Sequence, residues 1–180
     1  MYSLGTLTIL RALDHPELVA LPVADALKGL DSDGVVGVAE IDEGVSDTLA
    51  FCAQYEVPLE RAANCVILEA TRSDREWLAA CVILGSTKAD VNGVARKNLD
   101  ARRVSFAAMD KAVSATGMAY GAITPIGLPA EWPILIDEKV STTQLVVIGS
   151  GIRASKLIVP GALFARLPNA KLIRDLARRR

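Results

Sequence analysis

Apolar positions along this chain recur at two different periods. Residues 16–29 carry Leu18, Val19, Val23, Ala26 and Leu27 at helical spacing with Leu30 just beyond, which predicts a helix kinked or restarted at Pro22 and closed by Gly29. Residues 35–41 read as a strand. Ser46 is placed to cap a helix whose apolar side is Leu49, Cys52, Ala53 and Val57, ending before Pro58. Residues 64–70 (NCVILEA) and 77–84 (WLAACVIL) are apolar and rich in β-branched side chains. With the charged TRSDRE between them they predict an antiparallel hairpin with a long polar loop. Asp90 is the expected N-cap of a helix over 91–99, with Val91, Val94, Ala95 and Leu99 on one face and Arg96 and Lys97 near its C-terminal end, where cations suit the helix dipole. A strand over 102–106 and a short helix over 109–115 stopped at Gly117 follow. Residues 119–124, 133–137, 144–149 and 156–159 read as four more short strands, and 161–167 as a last helix.

Short strands joined partly by hairpin-length links and interrupted by single helices lack the regular βαβ alternation of a doubly wound sheet. The expected fold is therefore α/β of the α+β type: a curved, mixed, mostly antiparallel sheet with helices packed around it. Neither a repeat nor a low-complexity linker divides the chain. Residues 1–30 are read as a helical N-terminal appendage and 31–180 as the main domain.

Composition narrows the function classes. A length of 180 residues, 51% of them apolar and 23% charged, suits one self-folding domain. The formal net charge of −1 gives no overall cationic field. Its distribution is uneven, with residues 1–60 at net −9 and residues 153–180 at net +7, so one positive end is expected. The longest uncharged interval, 112–130, is broken by glycines and prolines, so no membrane partner is expected. The N-terminus lacks the marks of a leader, and the expected compartment is the cytoplasm. Cys52, Cys65 and Cys81 show no Cys-x-x-Cys spacing and read as reduced thiols, with Cys65 and Cys81 buried. His15, the single histidine, precedes Pro16 and reads as a surface cap. That excludes Ser-His-Asp and Cys-His engines, and leaves zinc without paired ligands, so no metal is expected. Glycine patterns for dinucleotides and phosphate loops are absent too, so no cofactor is expected. Any hydrolysis must rest on backbone donors, hydroxyls, lysine or the substrate's own groups.

From Tyr120 the chain runs YGAITPIGLPAEWPILIDEKV and then VVIGSGIRASKLIVPGALFARLPNAKL. Here it resembles the YbaK/prolyl-tRNA-synthetase-associated editing family. Gly121 and Pro125 match that family's Gly-x-x-x-Pro loop, with Gly127 after it, a strand ending in Asp137, and the glycine-rich strand end Gly149-Ser150-Gly151. The resemblance extends back through the helix at Asp90 to the strand at Asn64, and more weakly to Val35. It implies hydrolysis of mischarged aminoacyl-tRNA in trans, or in some members editing beside an aminoacyl-tRNA synthetase. The implied partner is the 3′ end of aminoacyl-tRNA. The family's deacylases carry a catalytic lysine at the start of the strand where this chain has Asn64. A carboxamide can hydrogen-bond a ribose hydroxyl or an ester carbonyl but brings no positive charge. Lys88 is the candidate replacement cation, ahead of Arg96 and Lys97.

The candidate site follows from these matches. Asn64, Lys88 and Asp137 are the catalytic candidates, Asp137 as an anchor for an amino group or a water. Gly121, Thr124, Pro125, Gly127, Gly149, Ser150 and Gly151 are the substrate-binding candidates. Glycines suit close backbone approach to a ligand, but equally serve strand-end turns. Thr124, Ser150, Thr142 and Thr143 offer hydroxyls, and an aspartate closing a strand also commonly caps a turn. Asn64, Thr124, Gly127, Asp137, Gly149 and Ser150 are expected to border one cleft. Phe51, Tyr55, Tyr120 and Trp132 are the aromatic residues available to stack a terminal base. Arg166, Lys171, Arg174, Arg178, Arg179 and Arg180 are candidates for phosphate contact, or form a solvated tail. Two functions stay open: a trans-editing deacylase, and a catalytically silent relative that binds aminoacyl-tRNA, a nucleotide or a small metabolite.

Overall fold

Two ten-residue strands, 63–72 and 75–84, form the ladder on which the other elements are arranged. The computed structural model describes residues 3–179. Its strands are β1 (Leu10–Arg11), β2 (Gly37–Glu40), β3 (Ala63–Arg72), β4 (Arg75–Leu84), β5 (Thr87–Ala89) and β6 (Arg103–Phe106). They continue as β7 (Ile134–Asp137), β8 (Val146–Gly149), β9 (Ser155–Val159), β10 (Ala170–Ile173) and β11 (Ala177–Arg179). The helices are α1 (Leu21–Leu30), α2 (Thr48–Tyr55), α3 (Arg96–Asn98), α4 (Met109–Thr116) and α5 (Glu138–Thr142). None of the described helices is long and apolar enough to cross a membrane.

One sheet has the order β10-β7-β4-β3-β6, with β7 parallel to both β4 and β10 and the remaining pairs antiparallel. A second, β1-β2-β9-β8, is antiparallel throughout. β5 and β11 form a separate antiparallel pair. A parallel bridge from Ala62 to Val147 joins the start of β3 to β8 and so ties the two large sheets together. The fold is thus mixed and mostly antiparallel, with helices outside.

Side chains alternate across each strand, so both faces of β3 and β4 must be covered. Ile67, Ala80 and Val82 face a main core shared with Val38, Ile148 and Leu157 of the second sheet and with Val23 and Leu27 of α1. Leu68, Ala79 and Cys81 face the opposite way, against Ala95, Leu99 and Leu176. A third cluster places Phe51 and Cys52 of α2 on the outer face of the second sheet, against Ala39 and Ile158.

Local chemistry accounts for where the elements depart from the pattern reading. The hairpin loop is two residues, not the six of TRSDRE: Arg72 pairs with Arg75, and Ser73 takes a φ of +55° to turn the chain. Thr71, Arg72, Arg75 and Glu76 then extend the ladder. Lys111 of α4 bridges Glu69 and Glu76 across that hairpin. Asp47, not Ser46, caps α2, because its carboxylate reaches both Leu49 N–H and Ala50 N–H. Asp90 caps the turn after β5 by accepting from Gly93 N–H, as expected. Residues 119–124 are an irregular loop and not a strand, since Gly121 sits at φ +80° and the Ala122 carbonyl bonds Gly151 N–H. The segment after Pro160 is a 3₁₀ helix, Gly161–Arg166. The basic C-terminus is structured: β10 lies beside β7, and β11 sets Arg178 opposite Lys88 and Arg179 opposite Thr87. Arg180 lies outside the described residues.

Asp137 is 2% exposed and its two carboxylate oxygens accept from Lys139 N–H at 3.0 Å and from Ala177 N–H at 2.8 Å. It therefore caps α5 and holds the base of β11. Asp137→Ala should lower stability by about 2 kcal/mol, because the buried Ala177 N–H and the part-buried Lys139 N–H lose their acceptor. Urea unfolding reads this directly, and a midpoint equal to that of the wild type would remove Asp137 from the framework.

Candidate functional site

A cavity of about 640 Å³ lies where the start of β3 meets the N-terminus of α2, the loop at Gly121 and the end of β8. Its volume is in the range of small-molecule sites. The walls mix apolar side chains such as Val66, Ile67 and Ile123 with Thr48, Asn64, Lys88, Arg153 and Lys156. Four exposed or partly exposed apolar side chains, Leu49, Phe106, Met109 and Tyr120, stand among its lining residues and give the mouth an apolar rim.

Asn64 enters from β3. The Thr48 hydroxyl donates to its carboxamide oxygen at 2.5 Å, and its NH₂ group has no hydrogen-bond partner among the described residues. Gly121 and Gly149 line the same cavity. A Cβ on Gly149 would stand 2.2 Å from the Ala122 carbonyl oxygen, so only glycine lets the loop close on the strand end. Arg153 fastens that loop, donating to the Tyr120 carbonyl at 3.3 Å and to the Glu43 carbonyl at 3.1 Å. Lys88 lines the cavity as well, exposed on β5 opposite Arg178, whose guanidinium turns instead to Asp90 at 3.4 Å.

The other candidates are placed elsewhere. Asp137 is engaged as described above. Thr124 and Pro125 are buried behind the loop, and the Thr124 hydroxyl finds no hydrogen-bond partner among the described residues. Gly127, at φ +90°, packs where a Cβ would meet the Pro22 carbonyl at 2.5 Å, and Gly151 packs on Ala20 and Met118. The Ser150 hydroxyl, fully buried, bonds the carbonyls of Ile152 and Ser155 at 3.1 Å each. Thr142 and Thr143 bond carbonyls of their own helix. The six-residue cleft expected from sequence is thus divided. Asn64 and Gly149 face the cavity, while Thr124, Gly127, Asp137 and Ser150 support the backbone behind it, because each is already engaged or enclosed there. Of the aromatic candidates, Phe51 and Trp132 are core residues and Tyr55 accepts from Asp42 N–H, leaving Tyr120 at the cavity. Arg96 and Lys97 line a separate groove beside Asp100.

Lys156 was not foreseen. It sits on β9 directly opposite Gly149, lines the cavity and is only 7% exposed. Its ammonium donates to the Ser46 carbonyl at 2.9 Å and lies 5.5 Å from the centre of the Phe51 ring. Burial pulls its pKa down to about 8, with Asp47 opposing and Arg153 assisting. The available signal was a lysine directly preceding the apolar run LIV within one strand, SKLIV. Cys65, half-buried, also lines the cavity, and burial raises its thiol pKa. Cys81 is fully buried with its pKa pushed up to about 12.

Because the folded-state pKa of Lys156 lies below the unfolded value of 10.5, its ionisation opposes folding. That penalty is complete below pH about 8, shrinks as pH rises, and vanishes above 10.5, where both states are neutral. The difference corresponds to about 3 kcal/mol. Lys156→Met should therefore be more stable than the wild type at pH 7, with the advantage narrowing from pH 8 upward. Thermal unfolding across this range checks the sign, and a destabilised Met variant at pH 7 would contradict it.

Known structures share this architecture. A proposed trans-editing enzyme for prolyl-tRNA synthetase superposes with a TM-score of 0.71 at 17% identity, over 85% of this chain and 93% of its own. A hypothetical protein, APE2540, superposes with a TM-score of 0.75 at 16% identity, over 87% and 99%. A protein from Marinobacter aquaeolei VT8, described as a signal transduction candidate, matches 85% of this chain with a TM-score of 0.54 and 17% identity. Only 30% of that longer chain is covered, so there the fold is one part of a larger protein. At such identities these likenesses establish the fold alone. The family assignment comes from sequence: the profile of the aminoacyl-tRNA editing domain matches residues 42–167, which span the cavity from α2 through the Gly121 loop to β9, and the chain belongs to that family.

Proposed function

We propose that this chain hydrolyses the ester bond of mischarged aminoacyl-tRNA in trans, with the 3′ end of the tRNA entering the cavity beside Asn64. The observation that carries the reading is the convergence of Asn64, Gly121 and Gly149 on one cavity within the segment matching the editing family. The apolar rim suits a terminal base, which stacks on Tyr120 or Phe106. The free NH₂ of Asn64 binds a ribose hydroxyl or the ester carbonyl. Lys88, exposed at the rim without an ion pair among the described residues, meets a backbone phosphate. Asp137, Thr124, Pro125, Gly127, Ser150 and Gly151 act by holding the backbone that carries these groups.

The chemistry fits a site without histidine. A water oxygen bonds to the ester carbonyl carbon while the carbonyl electron pair moves onto its oxygen. Collapse of this adduct breaks the bond to the ribose oxygen. That oxygen leaves as a hydroxyl, taking up the proton that the water released through the neighbouring ribose hydroxyl. The products are a free amino acid and uncharged tRNA. One observation favours a second reading, a module that binds aminoacyl-tRNA without turnover: the neutral Asn64 where catalytic relatives have a lysine.

Incubation with a panel of mischarged tRNAs separates the two. Hydrolysis of at least one tRNA well above background is expected, and background rates throughout leave only the binding module. Lys88→Ala should weaken tRNA binding and reduce the slope of log affinity against log salt by about 1, as one phosphate contact is lost. Arg178→Ala tests the next strand in the same way. Substitution is the right change there, because removing β11 would also strip β5 of its partner. Binding that is insensitive to salt would count against a nucleic-acid ligand altogether.

A further inference from the structure

Lys156 is a buried cation with no counter-charge in ion-pair contact among the described residues. An ammonium has three N–H donors, and only one is engaged, by the Ser46 carbonyl. Lysine is rarely buried this deeply unless it is paired, since desolvation of the charge must be offset by an acceptor. The acid nearest in influence, Asp47, has its Oδ1 committed to the backbone of α2. Around the ammonium stand the Phe51 ring and the Cys52 thiol on α2, and Arg153 on the loop before β9. None of these accepts strongly, and the remaining side is the cavity.

The position of the ammonium is specific. Lys156 faces Gly149 across the β8–β9 pair and reaches Ser46. Asn64 reaches Thr48 from the other sheet. Ser46 and Thr48 are two residues apart, so the two sheets deliver an ammonium and a carboxamide to one corner of the cavity. We propose that Lys156 holds the ester carbonyl oxygen as negative charge gathers on it, making it the catalytic cation of this site. This role rests on the deacylase reading above. As water adds to the carbonyl carbon, the electron pair displaced onto oxygen meets a Lys156 N–H. When the pair returns to re-form the carbonyl and the ribose oxygen departs, Lys156 is released in the protonated form in which it began. The protonated form is the active one, so the enhancement over uncatalysed ester hydrolysis falls above pH about 8.

Two probes and two variants test this. One probe is adenosine carrying an aminoethylphosphonate ester on its 3′ oxygen, an anionic tetrahedral copy of the adduct. The other is 3′-alanylamido-3′-deoxyadenosine, whose amide carbonyl is planar and uncharged. Wild-type protein should bind the phosphonate at least about 10-fold more tightly than the amide. Lys156→Met and Lys156→Gln, each checked for folding by thermal scan, should abolish that preference and keep amide affinity within about threefold. On any mischarged tRNA that the wild type hydrolyses, kcat should fall about 100-fold with KM little changed, the usual effect of losing one oxyanion donor. Variants that keep the preference, lose both ligands alike, or keep kcat overturn the proposal, as does a wild type with no preference for the phosphonate. If the wild type hydrolyses no tRNA yet shows a Lys156-dependent preference, the deacylase reading falls and the oxyanion site stands. If hydrolysis is present and indifferent to Lys156, the reverse holds.

Discussion

The β3–β4 ladder is the constraint on which the rest of the molecule depends. Ten residues on each side pair without interruption from Ala63 opposite Leu84 to Arg72 opposite Arg75. Such a ribbon with apolar side chains on both faces is not stable alone in water. One face is closed by the second sheet and α1, the other by the turn after β5, α3 and the residues around Leu176. The cavity sits at the start of this ladder, where β3 is bridged to β8 through Ala62 and Val147. The site is therefore built at the seam between two sheets, and each sheet contributes one polar group to it, Asn64 from the first and Lys156 from the second.

What was legible in the sequence was what local chemistry dictates. Pro22 restarts α1, Gly117 ends α4 at φ +67°, and the β-branched runs at 64–70 and 77–84 mark the hairpin. Asn64, Gly121 and Gly149 could be named because an ordered motif places them. What was not legible depends on partners far along the chain. β10 and β11 carry Lys171, Arg174, Arg178 and Arg179 in or beside them and look like a solvated tail until β7 and β5 are there to pair with. The loop at 119–124 is apolar enough for a strand, and only its clasp with Gly151 shows why it bends. Lys156 was hidden for the same reason: a strand lysine is ordinarily an edge or surface residue, and its burial is a property of α2 packing over β9.

The glycines divide along the same line. Gly149 is small because backbone must meet backbone beside the cavity, and Gly121 because the loop turns there at φ +80°. Gly127 and Gly151 are small because α1 and the chain before it press against them. A motif that reads as one ligand-binding unit is thus partly a device for attaching the N-terminal segment to the loop that shapes the site. The neutral Asn64 also takes on meaning from the structure. Its oxygen is fixed by Thr48, so its NH₂ is presented in a set orientation within the cavity that Lys156 also lines.

The pairing of β11 with β5 bears on the order in which the protein is completed. β5 supplies Thr87, Lys88 and Ala89 to the cavity wall, yet the strand it pairs with among the described residues begins at Ala177, some ninety residues later. The strands of the hairpin, by contrast, are neighbours in sequence, so their ladder needs no distant partner. Until β11 is in place, β5 lacks the strand that holds Lys88 at the cavity wall.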